Sequence, residues 1–553
     1  MRILQLHADW VEYEPIEKEI KQAEEIKKGK HKLEDILVLL TAVEQNDDKT
    51  IAQKAIEGAT EFLKQLKIKK VLIYPYAHLS SNLAKPTAAF EILTLMEKFA
   101  KDAKLEVYRA PFGWNKQFAI SVKGHPLAEQ SRTYTAATLK EKTSKPALGK
   151  TKVEETLPDT DHRIIGKQLD LYSFHPSGPG MVFWHEKGNM IRNTLIQFLR
   201  NEYVKQDYKE ILTPMILNKN IWEISGHWDH YKDNMFFTTV EDMDFAVKPM
   251  NCPGAIMVFK TSSKSYRDLP LRLAEFGWDH RNELSGVLSG LFRVRAFVQD
   301  DVHIFATPEQ AVSEIGKVID FIDYVYKIFG FDYHVELSTR PEGAMANKEI
   351  WEIAEKALKD ALEKKKMKYK LNPGDGAFYG PKIDFHIKDS MGRSWQLGTV
   401  QADFVMPERF DVQYVGEDGK GHRPVIIHRA VFGSLERFIG ILVEHYQGKF
   451  PAWLSPLQVR VVPMSDKNVK YAQEVLEKLR GNGIRADIDA EQKTMQNKIR
   501  EAQLQKINYV LVIGQKEEDA GTVAVRNREG KVEYGIKTED FANRIYDEIK
   551  SFK

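Results

Sequence analysis

Cysteine occurs once in 553 residues, as Cys252, and this excludes an internal disulfide framework. No run approaches the roughly 18 consecutive apolar residues that a membrane-spanning helix needs. The opening MRILQLHADW has neither the charged region, the apolar stretch nor the small-residue cleavage site of a signal peptide. These absences predict a cytoplasmic protein with no membrane partner. Charge of one sign is missing too: 81 Lys and Arg against 79 Asp and Glu leave only +2, so any nucleic-acid surface must come from local clustering. Internal repeats and low-complexity segments are absent. So is the pattern G-x-x-x-x-G-K-[ST], which excludes a P-loop phosphate site. What is present is a globular composition, 42% hydrophobic and 29% charged with a mean hydropathy of -0.43. At roughly 150 residues per domain, the chain has room for three or four separate cores.

Periodicity divides the chain. Residues 1–137 alternate strands and helices: Met1-Arg-Ile-Leu-Gln-Leu-His alternates apolar and polar, while Ile36-Leu-Val-Leu-Leu and Lys70-Val-Leu-Ile-Tyr read as buried strands. Between the last two, Thr50 to Leu66 puts Ile51, Ala55, Ile56, Ala59, Phe62 and Leu63 on one helical face. That predicts a small α/β domain. Residues 138–161 are polar, lysine-rich and without sustained period, and read as a linker. Residues 162–450 combine long amphipathic helices with aromatic-rich strands at 378–387 and 395–404, as in a mostly antiparallel sheet with helices to one side. Pro451, Pro456 and Pro463 mark the next boundary. Residues 451–553 then read as strand, helix, strand, helix, strand, a hairpin around Gly521 and a closing helix, a compact α/β domain.

Local wording carries the chemistry. Pro270-Leu-Arg-Leu-Ala-Glu-Phe-Gly-Trp-Asp-His-Arg-Asn-Glu, followed by Leu291-Phe-Arg-Val-Arg-Ala-Phe-Val-Gln-Asp-Asp-Val-His-Ile-Phe, sets Arg281, Glu283 and Arg293 in one segment. Taken alone, an Arg-x-Glu triplet is usually a solvated ion pair. Three further stretches accompany it: Lys248-Pro-Met-Asn-Cys-Pro-Gly, Gly376-Ala-Phe-Tyr-Gly-Pro-Lys-Ile-Asp-Phe and His428-Arg-Ala-Val-Phe-Gly-Ser-Leu-Glu-Arg-Phe. In order and gaps the set resembles class II aminoacyl-tRNA synthetases, and within them the threonyl-tRNA synthetase family, over about 166–553. The resemblance implies adenylation of L-threonine by ATP with Mg²⁺, transfer to threonine tRNA, and a homodimer built on a long helix from about Gly188 to Lys205. It assigns Arg281 to the α-phosphate, where a guanidinium would meet negative charge as a carboxylate attacks. Glu283 would read the adenine edge, Arg293 would hold the outer phosphates, and Arg437 would lie over the adenine ring as a planar cation. Tyr379, Gln401 and Ser434 would line the threonine pocket and Gln396 the ATP pocket, with Gln299 and Lys382 joining Arg281 and His227 as catalytic residues. His227, in Ser225-Gly-His-Trp, would stand near the terminal ribose of the tRNA.

Cys252, His303 and His428 have no tight ligand spacing and by themselves read as packed core residues. In the family, matching residues hold one zinc per subunit with open coordination. Threonine and valine are nearly isosteric, so an apolar pocket could not separate them, whereas a zinc taking both the amino and hydroxyl groups would reject valine. Asp301 would accept the hydroxyl proton. Serine carries the same two groups and lacks one methyl, worth roughly 1–3 kcal/mol, so a second, hydrolytic site is expected. Tyr74-Pro-Tyr-Ala-His-Leu-Ser-Ser-Asn, Arg109-Ala-Pro-Phe-Gly-Trp-Asn-Lys and the segment ending at Arg132 resemble the archaeal-type editing domain, similar to D-aminoacyl-tRNA deacylases. There His78, Lys116 and Glu129 would line the serine pocket. The last hundred residues resemble the anticodon-binding domain of class II synthetases, with Glu517 and Arg526 at base-reading positions. Two rivals stay open at this point: another synthetase of the subclass, such as the prolyl enzyme, and a noncatalytic RNA-binding paralogue.

Overall fold

The computed structural model describes residues 1–26, 28–66, 68–80, 82–124, 128–134, 157–345, 348–389 and 392–552. The chain divides into two compact units, Met1–Thr151 and Lys152–Lys553. Of the expected linker, residues 138–156 lie outside the described residues. Residues 157–161 lead into the helix His162–Gln168, whose first turn Asp161 caps through the Arg163 N–H.

In the first unit the strands run in the order Glu106–Arg109, Lys70–Pro75, His31–Ala42, Arg2–Lys18 and Trp114–Val122, and Glu129–Thr133 also pairs with Arg2–Lys18. One 17-residue strand serves two neighbours because Trp114–Val122 takes its C-terminal part and Glu129–Thr133 its N-terminal part. Leu37, Leu39, Val71 and Ile73 face the helices Lys49–Leu66 and Pro86–Asp102. Their strand neighbours Ile36, Val38, Leu72 and Tyr74 fill a second cluster with Val11 and Tyr13. Burial on both faces explains why Ile36-Leu-Val-Leu-Leu is apolar without interruption.

The second unit is built on an eight-stranded sheet. Its order is Lys370–Asn372, Tyr333–Ser338, Lys382–Lys388, Ser394–Asp403, Val425–Ala430, Ala296–Ala306, Leu271–His280 and Lys209–Glu210. All pairings are antiparallel except the outermost at each edge. The helices Glu186–Lys205, Pro308–Phe329, Lys348–Lys364 and Leu435–Tyr446 pack their apolar faces on Val298, Val302, Ile304, Phe385 and Val400. Strand alternation then turns Gln299, Asp301 and His303 to the opposite face, where the helix Cys252–Lys260 lies.

Two readings of the sequence are corrected. The strand expected from Phe378 begins only at Lys382, because Ala377 and Gly380 close a turn and Pro381 has no N–H for a ladder. The final hairpin does not turn at Gly521. That glycine, at φ +65°, ends the short helix Gln515–Ala520, and the hairpin joins Thr522–Asn527 to Val532–Lys537. These two strands extend a parallel trio, Ala486–Ile488, Val459–Pro463 and Tyr509–Ile513. Trp453 and Leu454, beyond the expected boundary at 450, pack with Phe450 into the large sheet's core.

Candidate active site

Cys252 opens its helix, His303 sits on Ala296–Ala306 and His428 faces it in register on Val425–Ala430. Their potential ligand atoms all lie within 4.8 Å of one another, and the two imidazole rings are 4.8 Å apart at 81°. All three are buried. Asp403 Oδ2 lies 2.9 Å from His428 Nε2. A carboxylate can only accept, so Nε2 carries the proton and Nδ1 is left as a donor atom for a metal. His303 Nε2 is buried with no hydrogen-bond partner among the described residues. Burial and the charges of Asp301, Asp403 and Asp279 push the Cys252 thiol well up, and burial pushes Asp301 up to about 6. Surplus acid, an orphaned imidazole nitrogen and an N/S donor set together fit a divalent zinc-like cation, which would reverse these shifts.

Beside the cluster is a cavity of about 120 Å³ lined by Cys252, Asp301, Tyr379, Gln401 and His428, with Arg281, Gln299 and Thr399 on another side. The same three residues help line a larger cavity of about 420 Å³ with Glu283, Phe292, Arg293, Gln396, Ser434 and Arg437. Arg281 lies between the rings of Phe297 and Tyr231, its guanidinium carbon 5.1 and 5.7 Å from their centres. Glu283 pairs with Arg293 at 2.9 Å and not with Arg281. Arg437 donates to the carbonyls of Phe292 at 3.0 Å and Gln396 at 3.3 Å and lies 5.5 Å over Trp395. Burial, and after it the charges of Arg281 and Arg293, lower its pKa, and the larger cavity carries three guanidinium groups, Arg281, Arg293 and Arg437, against the single carboxylate of Glu283.

Not every expected residue falls on these walls. Ser434, expected near threonine, lines the larger cavity and caps the helix carrying Arg437. Lys382 lines neither; it pairs with Asp384 at 2.8 Å, and Asp384 in turn accepts from Gln396. His227 is fully buried, with Ser225 Oγ 2.8 Å from Nδ1 and Met250 Sδ 3.0 Å from Nε2. Burial, more than the nearby cations, brings its pKa down to about 3. Thr399 and Asp403 escaped the sequence reading, although they alternate with Gln401 along one strand. Gln396 joins them only because a bulge opposite Asp384 and His386 inserts an extra residue.

The first unit holds a cavity of about 380 Å³ lined by Thr41, Tyr74, Tyr76, His78, Asn115 and Lys116 among others. Lys116 donates to the carbonyls of Trp114 at 2.8 Å and Pro111 at 3.1 Å, and stands 5.1 Å over the Tyr74 ring. Burial brings its pKa down to about 8. His78 is exposed in the short turn Ala77–Leu79. Glu129, by contrast, is exposed on the strand opposite Leu6 and does not line this cavity. In the last sheet Glu517 caps Gln515–Ala520 by accepting from Gly514 N–H at 3.0 Å. Arg526 lies on the next strand with a buried, unpartnered Nε, and no hydrogen bond or ion pair joins the two among the described residues.

The large sheet, antiparallel but for its two edges, carries both cavities, and the model of the tRNA synthetase class II core domain (G, H, P, S and T) matches residues 236–446. The archaea-specific editing domain of threonyl-tRNA synthetase matches 1–134, and an anticodon-binding domain matches 458–548. A solved RNA-binding domain of threonyl-tRNA synthetase from Cryptosporidium parvum is 44% identical, with a TM-score of 0.68, covering 70% of this chain and 98% of that one. The chain belongs to the threonyl-tRNA synthetase family. Threonine–tRNA ligase of Desulforamulus reducens is 59% identical over 392 residues, 71% of this chain and 62% of that protein. The ligase of Caldanaerobacter subterraneus is 56% identical over 70% of this chain and 60% of its own. The chain thus spans about 60% of the length of these curated relatives.

Proposed function

We propose that this chain is a threonine–tRNA ligase that forms threonyl-adenylate from L-threonine and ATP, transfers threonine to its tRNA, and removes mischarged serine in its first unit. The observation that carries the reading is the wall of Arg281, Gln299 and Thr399 common to both cavities. A carboxylate entering from the smaller cavity and an α-phosphate entering from the larger would meet there, with Arg281 beside the charge that develops. Glu283 and Arg293 would take the adenine edge and the outer phosphates, with Mg²⁺ accompanying ATP. Arg437 would stack on the ring. Cys252, His303 and His428 would hold a zinc ion, which supplies a Lewis acid for the amino and hydroxyl groups of threonine. Asp301, on the wall of the smaller cavity beside Cys252 and His428, is placed to take the hydroxyl proton. Tyr379 and Gln401 would close the pocket around the methyl group.

His227 would stand near the terminal ribose of the tRNA, held by Ser225 Oγ at Nδ1 and Met250 Sδ at Nε2. Lys116 and His78 would position the seryl ester in the first unit. Glu517 and Arg526 would contact anticodon bases. The exposed Val204, in the last turn of the helix Glu186–Lys205, and Leu212, Met215 and Ile216 beyond it would be covered by a second copy in a homodimer. No helix among the described residues is long and apolar enough to cross a membrane. Threonine-dependent exchange of pyrophosphate into ATP tests the synthetic reading, and release of serine from seryl-tRNA tests the editing one.

A further inference from the structure

A second buried group of potential metal ligands, Asp161, His162 and Glu444, lies outside both cavities. Its atoms are already engaged. The Arg163 guanidinium donates to both oxygens of Asp161 at 2.8 and 2.7 Å, and Arg393 donates to Glu444 Oε2 at 3.2 Å. His162 uses both ring nitrogens: Nε2 lies 3.0 Å from the Leu291 N–H and Nδ1 lies 2.8 Å from Glu444 Oε1. An amide N–H can only donate, so Nε2 is the acceptor and Nδ1 carries the proton towards the carboxylate. The arrangement is a clasp and not a metal site.

What it clasps is the back of the loop that presents the phosphate-binding residues. The chain folds on itself between Ser289 and Arg293, with Phe292 and Arg293 both donating to the Ser289 carbonyl at 2.9 and 3.3 Å. The His162 ring lies 4.1 Å from that of Phe292, whose carbonyl orients Arg437. Glu444 lies at the far end of the helix Leu435–Tyr446 that begins beside Arg437. Gly290, at φ +48°, passes so close that a Cβ there would fall 2.2 Å from His162 Nε2.

We propose that His162 is a positioning residue for ATP: its Nδ1–H form, oriented by Glu444, fixes the turn Ser289–Arg293 so that Arg293 and Arg437 face the nucleotide. This rests on the reading of the larger cavity as the ATP site. Without the acceptor at Nε2, the Leu291 amide is buried and unpaired and the turn loses its fixed position. The effect falls on ATP and spares threonine, because His162 touches nothing in the smaller cavity.

The test is steady-state pyrophosphate exchange by the full chain, with KM measured separately for ATP and threonine, beside equilibrium dialysis of ATP. His162→Leu should raise the KM for ATP about tenfold or more and leave that for threonine within twofold. His162→Gln, whose carboxamide oxygen can accept from Leu291, should return the ATP value to within about threefold of the parent. Gly290→Ala keeps His162 and presses a methyl group on the same turn against its Nε2; it should raise the KM for ATP at least fivefold, and it decides the matter if His162→Leu does not fold. An ATP KM within twofold of the parent in Gly290→Ala, or equal losses in the Gln and Leu variants, overturns the inference. A parent that binds ATP in dialysis but shows no threonine-dependent exchange would instead refute the functional reading, and the dialysis constants of the variants would still decide this one.

Discussion

Replacing Arg281 should separate catalysis from folding. Its guanidinium is held between Phe297 and Tyr231 but makes only one weak hydrogen bond among the described residues, from Nε to the Pro249 carbonyl at 3.4 Å. Five N–H groups are available on a guanidinium, so most of its donor capacity is held in place for a ligand. Losing one such preorganised donor costs about 10²–10³ in rate, or about 2.7–4 kcal/mol of transition-state stabilisation. The two ring contacts are worth about 0.5–1 kcal/mol each, so Arg281→Ala should cost the fold only about 1–2 kcal/mol. Exchange of pyrophosphate at saturating threonine should therefore fall about 10²–10³-fold in a variant with nearly parental thermal unfolding. Arg281→Lys keeps the charge, loses the planar fork, and should recover little. Exchange within threefold of the parent in Arg281→Ala would refute the placement of the reacting centre at the common wall.

Cys252→Ala should lose bound zinc and threonine activation together while ATP binding persists, and full exchange in a variant shown to be metal-free would contradict the metal assignment. Raising the pH from 7 to 9 should remove the Lys116 ammonium, whose pKa is about 8, and slow enzymatic release of serine from seryl-tRNA relative to the spontaneous rate; an unchanged ratio would exclude a charged role. Because burial depresses this pKa below the ordinary 10.5, the folded unit binds fewer protons than the unfolded chain between about 8 and 10.5, and its stability should rise with pH across that window. Removal of residues 1–137 should leave threonine-dependent exchange intact and abolish release of serine, and deacylation by the remaining fragment would overturn the division of labour.

Much of the fold was legible because period-2 and period-3.6 patterns coincide with real burial. Ile36-Leu-Val-Leu-Leu and the helix Lys49–Leu66 belong to cores on both sides of their sheet. The edge strands Glu106–Arg109 and Glu129–Thr133, half-buried or exposed, left no such trace. Gly521 was misread as a hairpin turn because a helix C-cap and a turn ask the same left-handed backbone of glycine. At the site, Cys252, His303 and His428 meet only through tertiary pairing, 176 residues apart at the extremes by 428 − 252, so the sequence alone could not distinguish a metal cluster from packed core. The polar environment that tunes them was still harder to read. Asp403 meets its partner His428, 25 residues on, only across an antiparallel strand pairing, and the clasp at His162 joins residues 282 positions apart.

The most direct test of the whole account is pyrophosphate exchange by the zinc-loaded full chain with threonine, serine and valine in turn. A site that engages the substrate hydroxyl should discriminate against valine by roughly 10⁴-fold or more, while serine, one methyl smaller, should be activated within about 10–200-fold of threonine. Valine activated as well as serine, or no exchange with any of the three, would contradict the reading of the smaller cavity as a threonine pocket closed by a metal.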